Sequence, residues 1–187
     1  MCLFEGKNII AVTARNLCPR PLWEQIPRIR EAGITRVILR EKDLSPDAYL
    51  ALAEKVLSAC ETCGVELTVH AFPEVAEKLH VARLHMPLPL LTQDLSSRFS
   101  LLGTSVHSLE QLKKAESFGV NYVTFGHVFP TDCKKDLPPR GLSLLSDICR
   151  NTDLPVYAIG GISKENLSEV MDAGAFGACI MSSAMEL

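Results

Sequence analysis

The stretch Phe125–Lys135, FGHVFPTDCKK, carries the densest group of reactive side chains in this chain. An apolar run ends at Gly126, His127 follows directly, and a short loop leads to Cys133 and Lys134. A histidine side chain has an ordinary pKa of about 6.5, so it can take up and release a proton near neutral pH. The stretch predicts acid–base chemistry at His127 beside a cationic loop, with a structural histidine as the plainer alternative.

Other chemistries have weaker support in the sequence. Cys133 could serve as a nucleophile with His127, but nothing in the sequence marks its thiol as activated. His70, His85 and His127 could converge on a metal ion, but no carboxylate accompanies them at the predicted strand ends. Proton transfer by a single residue is therefore the favoured interpretation.

A second group of residues could bind an anion such as a phosphate. The stretch AIGGIS places two glycines before a helix that we expect Ser163 to cap, and backbone N–H groups beside a helix N-terminus bind anions. The stretch IMSS follows the next apolar run and adds hydroxyl groups. The alternative is that the glycines only allow a helix to pack tightly against a strand. The predicted phosphate-binding residues are Gly160, Gly161, Met181, Ser182 and Ser183.

Polar and cationic side chains at other predicted strand ends could bind the remainder of an anionic substrate. In LREKD, Arg40 and Lys42 lie two positions apart and should share one face, whereas we expect Glu41 to face outward to a helix. A surface ion pair is the alternative for this stretch. Arg140 follows in the same loop as Lys134 and could close over the substrate. The predicted substrate-binding residues are Arg40, Lys42, Ser105, His107, Thr131, Cys133 and Lys134.

The elements that must position these residues repeat along the chain. Four times a helical pattern ends at a glycine and an apolar run follows, as expected when a left-handed glycine separates a helix from a strand. These glycines are Gly33, Gly64, Gly119 and Gly174. Ser45 before Pro46, and Ser108 three residues before Gln111, predict two helix N-termini. We predict eight strands, beginning near Ile9, Val37, Leu67, Ala82, Leu102, Tyr122, Val156 and Ala178.

Near-continuous apolar strands that alternate with helices indicate a parallel sheet buried on both faces. Eight such strands predict an α/β fold, a single (β/α)8 TIM barrel domain over residues 1–187, with catalytic residues at the C-terminal ends of the strands. The connection after the fourth strand offers little helix, and the final helix should be short or missing. Apolar surface left there would be covered by the N-terminus or by a partner subunit, so we expect a homo-oligomer, with a dimer favoured.

The composition excludes several classes of protein. Of the 187 residues, 47% are hydrophobic, and the net charge of −3 gives no global field that would attract nucleic acid or an anionic membrane. No run approaches the roughly 18 apolar residues of a membrane span, and the N-terminus lacks a signal-peptide pattern. The seven cysteines are scattered and odd in number, which predicts reduced thiols and a cytoplasmic location. Cys60 and Cys63 form a C-x-x-C without a second pair.

Five stretches resemble the thiamine phosphate synthase superfamily of (β/α)8 barrels, namely LREKDLS, GTSVHSLEQ, YVTFGHVFPTDCKK, PRGLSLLSDI and PVYAIGGIS. The resemblance runs from about Asn8 to Ser183 and is greatest to the thiazole tautomerase branch, TenI. Synthases have G-P-V-F-P-T where the tautomerase has G-H-V-F, and the histidine of that motif is the tautomerase's catalytic residue. The resemblance implies that His127 is the catalytic residue here.

The resemblance to the synthases fails where they hold magnesium against a pyrophosphate. Synthases carry Q-L-R-E-K, an N-D pair after the third strand and another aspartate after the fourth. Here Ile38 replaces the glutamine, His70-Ala71 replaces the N-D pair, and HMPLPLL contains no aspartate. We therefore expect no metal and no cofactor. His70 also replaces an asparagine that is usual in the tautomerase, which could alter specificity.

The implied tautomerase reaction converts an ylidene carboxythiazole phosphate to its aromatic isomer during thiamine biosynthesis. This proton shift requires an acid–base residue, a phosphate anchor and a cation for the carboxylate. Two alternatives stay open. One is a degenerate thiamine phosphate synthase that still joins pyrimidine and thiazole, and the other is a non-catalytic barrel that binds a thiamine-pathway phosphate and signals through a partner.

Overall fold

The computed structural model describes residue 4, residues 6–131 and residues 137–187. Across this part of the chain, eight parallel strands alternate with helices. The strands are β1 (Ile9–Val12), β2 (Arg36–Leu39), β3 (Glu66–His70), β4 (Arg83–Pro87), β5 (Leu101–Val106), β6 (Tyr122–Gly126), β7 (Val156–Ile159) and β8 (Gly177–Ile180). Each strand begins within one residue of its predicted position, so the eight predicted strands are confirmed.

The helices lie between the strands or after the last one. They are α1 (Leu22–Glu31), α2 (Pro46–Cys63), α3 (Pro73–Lys78), α4 (Leu95–Arg98), α5 (Leu109–Ser117), α6 (Gly141–Arg150), α7 (Leu167–Asp172) and α8 (Ser182–Met185), with short 3-10 helices at Arg15–Leu17 and Leu88–Leu90. As predicted, the connection after β4 contains little helix and the final helix is short, since α4 and α8 have 4 residues each. Within the described ranges, every helix is too short or too polar to cross a membrane.

Most helix ends follow the predicted signals. The hydroxyl of Ser45 accepts a hydrogen bond of 3.3 Å from the N–H of Ala48 at the start of α2, which ends at Gly64 with φ of +66°. The hydroxyl of Ser108 accepts one of 3.2 Å from the N–H of Gln111 at the start of α5. These contacts satisfy backbone groups that have no partner within the helix.

The prediction that Ser163 caps the helix after β7 is wrong. Helix α7 begins only at Leu167, and Asn166 is its N-cap residue. The Asn166 side chain accepts a hydrogen bond of 2.9 Å from the Ser163 N–H and donates one of 2.9 Å to the Gly161 carbonyl. Because such local side-chain contacts offer the backbone an alternative to a helix, the chain forms a turn here. No helix therefore begins directly after the glycine pair.

The strands follow one another in chain order around a closed parallel barrel, which confirms the predicted (β/α)8 fold. Val37 of β2 pairs with Ala11 of β1 and with Leu67 of β3. Thr124 of β6 pairs in the same way with Ser105 of β5. All four residues of β1 and all four of β8 are buried, as expected for strands that are covered on both faces.

The chain divides into two compact units. The first unit comprises Met1–His85 and Met181–Leu187, and the second comprises Met86–Ile180. Strands β1, β2 and β3 pair within the first unit, and β5 to β8 pair within the second. The single domain expected over residues 1–187 stays a prediction.

A buried tyrosine ties helix α2 to two strands of the first unit. The Tyr49 hydroxyl donates a hydrogen bond of 2.6 Å to the Leu39 carbonyl and accepts one of 3.0 Å from the His70 N–H. Burial raises the pKa of the Tyr49 phenol above its ordinary value, so the phenol keeps its proton and remains a donor. These bonds fix the ends of β2 and β3, where Arg40 and His70 lie.

Aromatic side chains hold strands β5 to β7 of the second unit together. The Tyr122 ring lies against Gly103, where an added Cβ would be 2.0 Å from Tyr122 Cζ. Tyr122 meets Tyr157 edge-on with ring centroids 5.7 Å apart, and Tyr157 meets Phe176 at 5.6 Å. Such edge-on pairs stabilise a core beyond the area that they bury.

Candidate active site

Glu41 is a buried carboxylate, and its predicted orientation outward to a helix stays a prediction. It accepts hydrogen bonds from the Thr13 hydroxyl at 2.7 Å, the Arg15 N–H at 3.1 Å and Arg15 Nη1 at 2.9 Å. Thr13 in turn accepts one of 2.9 Å from the N–H of Arg40. We call Thr13, Arg15 and Glu41 the Glu41 network. It binds the ends of β1 and β2 to each other and fixes the backbone of Arg40.

Two buried histidines lie side by side, His70 at the end of β3 and His85 in the middle of β4. His70 and His85 pair in register, and their rings stack with centroids 5.7 Å apart. Burial is the main cause that lowers the pKa of His70 to about 4, and the positive charges of Arg40 and Lys42 contribute to the same shift. Burial, His70 and the same two cations lower the pKa of His85 to about 3. Both imidazoles are therefore neutral at physiological pH.

His127 follows β6 directly and is buried, with 4% of its surface exposed. Its Nε2 atom lies 3.1 Å from the carbonyl oxygen of Leu137. Its Nδ1 atom is buried and, among the described residues, is the one buried side-chain nitrogen or oxygen without a hydrogen-bond partner. His127 therefore combines a fixed ring with one unpaired polar atom.

The Leu137 carbonyl determines which ring nitrogen of His127 carries the proton. A carbonyl oxygen only accepts hydrogen bonds, so Nε2 is the donor, and in the neutral imidazole Nδ1 holds the lone pair. A buried polar atom without a partner costs about 1–3 kcal/mol, and proteins seldom retain one without a reason. A buried basic nitrogen without a partner is suited to accept a proton from a bound molecule.

The carbonyl of Gly126, next to His127, accepts two side-chain hydrogen bonds. His107 Nδ1 lies 2.7 Å from this oxygen and Arg140 Nε lies 3.1 Å from it. The backbone N–H of Arg140 donates a further hydrogen bond of 2.9 Å to the His127 carbonyl. We call His107, Gly126, His127, Leu137 and Arg140 the His127 network.

The two glycines after β7 pack against the segment that carries His127. Gly160 has φ of +99° and Gly161 has φ of +66°. A Cβ on Gly160 would lie 2.3 Å from the Cβ of His127, and one on Gly161 would lie 2.3 Å from the Pro130 carbonyl oxygen. Close packing therefore requires both glycines. This agrees with the packing role that was the alternative to an anion site. Their predicted phosphate contact stays a prediction, now without an adjoining helix N-terminus.

Comparison with known proteins identifies the family. Residues 9–184 match the protein family described as Thiamine monophosphate synthase. The chain belongs to this family. It is 34% identical over 187 residues to the thiamine-phosphate synthase of Roseiflexus castenholzii, covering 96% of this chain and 82% of that protein. It is 31% identical over 185 residues to the thiamine-phosphate synthase of Syntrophomonas wolfei, covering 95% of this chain and 88% of that protein.

A solved structure supports the same assignment. The thiamine phosphate pyrophosphorylase from Pyrococcus furiosus has a TM-score of 0.83 and 25% sequence identity, covering 100% of this chain and 89% of that one. The predicted superfamily and fold are therefore confirmed. These relatives carry the names of synthases and pyrophosphorylases, so the tautomerase branch is a matter of proposal.

The other predicted substrate-binding residues of this thiamine monophosphate synthase family member have varied surroundings. Arg40 is half-buried and Lys42 is exposed, just beyond the end of β2. The Ser105 and Thr124 hydroxyls share a hydrogen bond of 2.8 Å. Thr131 is half-buried. Cys133 and Lys134 lie outside the described residues.

The remaining predicted phosphate-binding residues lie in the first unit, at the start of α8. Helix α8 begins at Ser182, and the Met181 carbonyl accepts a hydrogen bond of 3.1 Å from the Ala184 N–H. Ser182 is exposed and Ser183 is half-buried. Their role in phosphate binding stays a prediction.

The described residues do not support the metal or redox alternatives. Within residues 6–131 and 137–187, no three histidine, cysteine, aspartate or glutamate side chains are grouped to hold a metal ion. Cys60 of the C-x-x-C is buried in α2, and burial raises the pKa of its thiol to about 12. A thiol with so high a pKa is a poor nucleophile and a poor metal ligand.

Two parts of the site were missed in the sequence. The hydrogen bond between Thr13 and Glu41 was not predicted from the sequence. Arg140 was predicted to contact the substrate, but it binds the Gly126 carbonyl. The contact of Leu137, which contributes a backbone carbonyl, was not predicted. A threonine ending one strand and a carboxylate just beyond the next is a signal that could have indicated the first pairing, because neighbouring parallel strands end at the same edge.

Proposed function

We propose that the chain is a thiazole tautomerase, which isomerises an ylidene carboxythiazole phosphate to its aromatic carboxythiazole phosphate in thiamine biosynthesis. The observation that carries the proposal is the Nδ1 atom of His127, which is buried and has no hydrogen-bond partner among the described residues, in a ring whose other nitrogen is a fixed donor. Family membership supplies the pathway, since the relatives are named for thiamine phosphate chemistry.

His127 is the acid–base residue in the proposed reaction. Its Nδ1 atom removes the ring proton, whose loss makes the thiazole aromatic, and the electron pair moves to the exocyclic carbon. The imidazolium then returns the proton to that carbon, so atoms and charge balance within one molecule. No bond to phosphorus breaks, and one histidine completes both transfers if both carbon atoms lie within its reach.

The residues of the first unit do not fit a magnesium site of the synthase kind. Ala71 has no donor atom in its side chain, and the neighbouring His70 and His85 are kept neutral by burial and by the positive charges of Arg40 and Lys42. A cation would meet the same positive charges, and the buried carboxylate of Glu41 in this unit is already paired with Thr13 and Arg15. This favours a reaction without magnesium over a synthase reaction.

Thiamine phosphate synthesis is the second candidate, and the names of the relatives favour it. Both curated relatives, at 34% and 31% identity, are called thiamine-phosphate synthase. A synthase joins a pyrimidine pyrophosphate to the thiazole phosphate and requires magnesium, whereas the tautomerase acts on one substrate alone. The two functions therefore differ in substrates, metal dependence and product.

The deciding experiment measures both reactions on the same purified protein. The ylidene phosphate is mixed with the protein in EDTA, and isomerisation is followed by absorbance and by proton exchange with D₂O. In parallel, the pyrimidine pyrophosphate and thiazole phosphate are supplied with Mg²⁺. We expect isomerisation that is unchanged by EDTA. Condensation that needs Mg²⁺, without isomerisation, would establish the synthase, and phosphate binding without either reaction would indicate a non-catalytic protein.

His127→Asn tests the role of the imidazole. Asparagine keeps a similar shape and a polar group but cannot titrate, so we expect kcat to fall by roughly 10²–10⁴-fold, the usual contribution of positioned acid–base catalysis. KM should change much less, because the base is not the anchor of the phosphate. Isomerisation by His127→Asn at the wild-type rate would rule out His127 as the base.

A further inference from the structure

We infer that His107 and Arg140 are positioning residues for His127, and that they act through the carbonyl of Gly126 instead of binding the substrate. The inference rests on the proposed function, in which the His127 imidazole moves the proton. It also revises the sequence-based prediction, which placed His107 and Arg140 against an anionic substrate.

The Gly126 carbonyl receives hydrogen bonds from both His107 and Arg140. The carbonyl oxygen can only accept, so His107 Nδ1 at 2.7 Å and Arg140 Nε at 3.1 Å are both donors. Together they use both lone pairs of this oxygen and fix the plane of the peptide that precedes His127. A rotation of that peptide would break both bonds and would turn the His127 side chain with it.

Backbone hydrogen bonds also hold the other end of the loop beside His127. The Arg140 N–H donates to the His127 carbonyl at 2.9 Å, and the Gly141 N–H donates to the Val128 carbonyl at 3.1 Å. These bonds hold the returning chain beside His127, where the Leu137 carbonyl accepts from Nε2 at 3.1 Å. Arg140 therefore fixes both the peptide before the imidazole and the chain segment that sets its tautomer.

His107 is itself held in place. Its backbone N–H donates a hydrogen bond of 2.8 Å to the Gln111 side chain, and Ser108 caps the helix that follows. The bond from Nδ1 to Gly126 requires a proton on Nδ1. A ring that is anchored on its backbone side and used as a donor on Nδ1 can transmit a fixed orientation to Gly126.

Arg140 variants separate positioning from charge. In Arg140→Gln the amide nitrogen takes the place of Nε, so the bond to Gly126 is kept while the positive charge is lost. In Arg140→Lys the charge is kept, but a methylene takes the place of Nε. We expect Arg140→Gln to retain most of kcat and Arg140→Lys to lose roughly 10- to 100-fold, as for a small misplacement of a catalytic group. If Arg140 instead binds the substrate through its charge, Arg140→Gln should be impaired more than Arg140→Lys, and the impairment should appear as a raised KM.

His107 offers a second matched pair of variants. The amide nitrogen of His107→Asn matches the position of Nδ1 and can still donate to Gly126, whereas that of His107→Gln matches Nε2 and cannot. We expect His107→Asn to keep most of kcat and His107→Gln to lose roughly 10-fold or more, with little change in KM. Equal losses in both His107 variants would contradict positioning through Gly126.

A spectroscopic measurement tests the inference without any turnover. Two-bond ¹H–¹⁵N spectra of the imidazoles report which nitrogen carries the proton, and His127→Asn identifies the His127 signals. Wild type, His107→Asn and Arg140→Gln should show the Nε2–H form of His127, and His107→Gln and Arg140→Lys should show altered ¹⁵N shifts at unchanged unfolding midpoints. His127 signals that are identical in all variants would overturn the inference. If wild type shows the predicted ¹⁵N shifts of His127 but does not isomerise the substrate, the proposed function is refuted and the positioning of His127 is not.

Discussion

The Glu41 network and the His127 network satisfy their polar groups in opposite ways. In the Glu41 network a buried carboxylate receives hydrogen bonds from the Thr13 hydroxyl, an arginine side chain and a backbone N–H. In the His127 network the side chains bind backbone carbonyls, and one buried nitrogen has no partner among residues 6–131 and 137–187. Both networks lie at strand ends, but within the part of the chain that the structure describes only the second contains an unpaired basic atom.

This difference separates structural polar groups from reactive ones. A buried carboxylate that is fully paired stabilises the chain segments that supply its donors, and it has no lone pair left for a substrate. Donors that bind backbone carbonyls orient a neighbouring side chain without occupying its reactive atom. The first arrangement should therefore matter mainly for stability, and the second mainly for rate.

Among the changes outside His127 itself, the largest effect is expected for Gly160→Ala, because Gly160 packs against His127. The new Cβ would lie 2.3 Å from the Cβ of His127 and 2.7 Å from its Cα. Because a backbone atom cannot move aside cheaply, His127 must shift, and we expect kcat/KM to fall by about 100-fold or more. Steady-state kinetics and the ¹⁵N signals of His127 check this.

Gly64→Ala is the matched control for the strain in Gly160→Ala. Gly64 also has a positive φ, of +66°, but an added Cβ there would meet nothing within 4 Å. We expect a loss of stability of about 1 kcal/mol and unchanged kinetics. Unchanged kinetics in Gly160→Ala as well would show that His127 does not need its present position.

The second effect is on stability and concerns Glu41. Glu41→Leu leaves the Thr13 hydroxyl and the Arg15 N–H without their acceptor, so we expect the free energy of unfolding to drop by about 2–3 kcal/mol. Urea denaturation measures it. Asp43→Asn is the control, because it removes the exposed partner of the same Arg15, at 2.5 Å, and should cost less.

The comparison would fail if Glu41→Leu left stability unchanged but abolished isomerisation. Such a result would place the Glu41 carboxylate in the reaction itself. We expect instead that kcat falls much less in Glu41→Leu than in His127→Asn.

Much of the fold was predictable because its signals are local. Apolar runs separated by glycine-ended helices predicted all eight strands, and the chain does adopt a left-handed conformation at Gly33, Gly64, Gly119 and Gly174. The motif at the end of β6 also indicated His127. Hydrophobic pattern and glycine position are each properties of a short stretch, so one sequence is enough to read them.

The environment of the site was less predictable, for physical reasons that differ by residue. Arg40, Glu41 and Lys42 follow the end of β2 at Leu39, so the alternation of strand side chains no longer decides where they point. Ser163 lost its predicted role because the Asn166 side chain binds its N–H. The Leu137 contact involves a backbone carbonyl, which every residue type has.

The smallest effect per residue is expected from pH and concerns His70 and His85 in the first unit. Folding lowers the pKa of His70 to about 4 and that of His85 to about 3, mainly through burial. The unfolded chain binds protons at the ordinary histidine pKa of about 6.5, so it holds more protons than the folded chain below that pH. The free energy of unfolding should therefore fall as the pH drops below about 6.5, by up to about 2 kcal/mol per histidine between pH 7 and pH 5.

The window from pH 7 to pH 5 isolates these histidines from the acid partner of Arg15. Asp43 has its pKa lowered to about 2, chiefly by the hydrogen bond from Arg15, so its contribution is lost only below the ordinary carboxyl pKa. Urea denaturation at pH 7, 6 and 5 should show a shallower pH dependence for His70→Asn and His85→Asn than for wild type, and the shallowest for the double variant. An equal slope in all four proteins would mean that the buried pair gains protons in the folded chain, and that its neutral state does not contribute to the stability of the first unit.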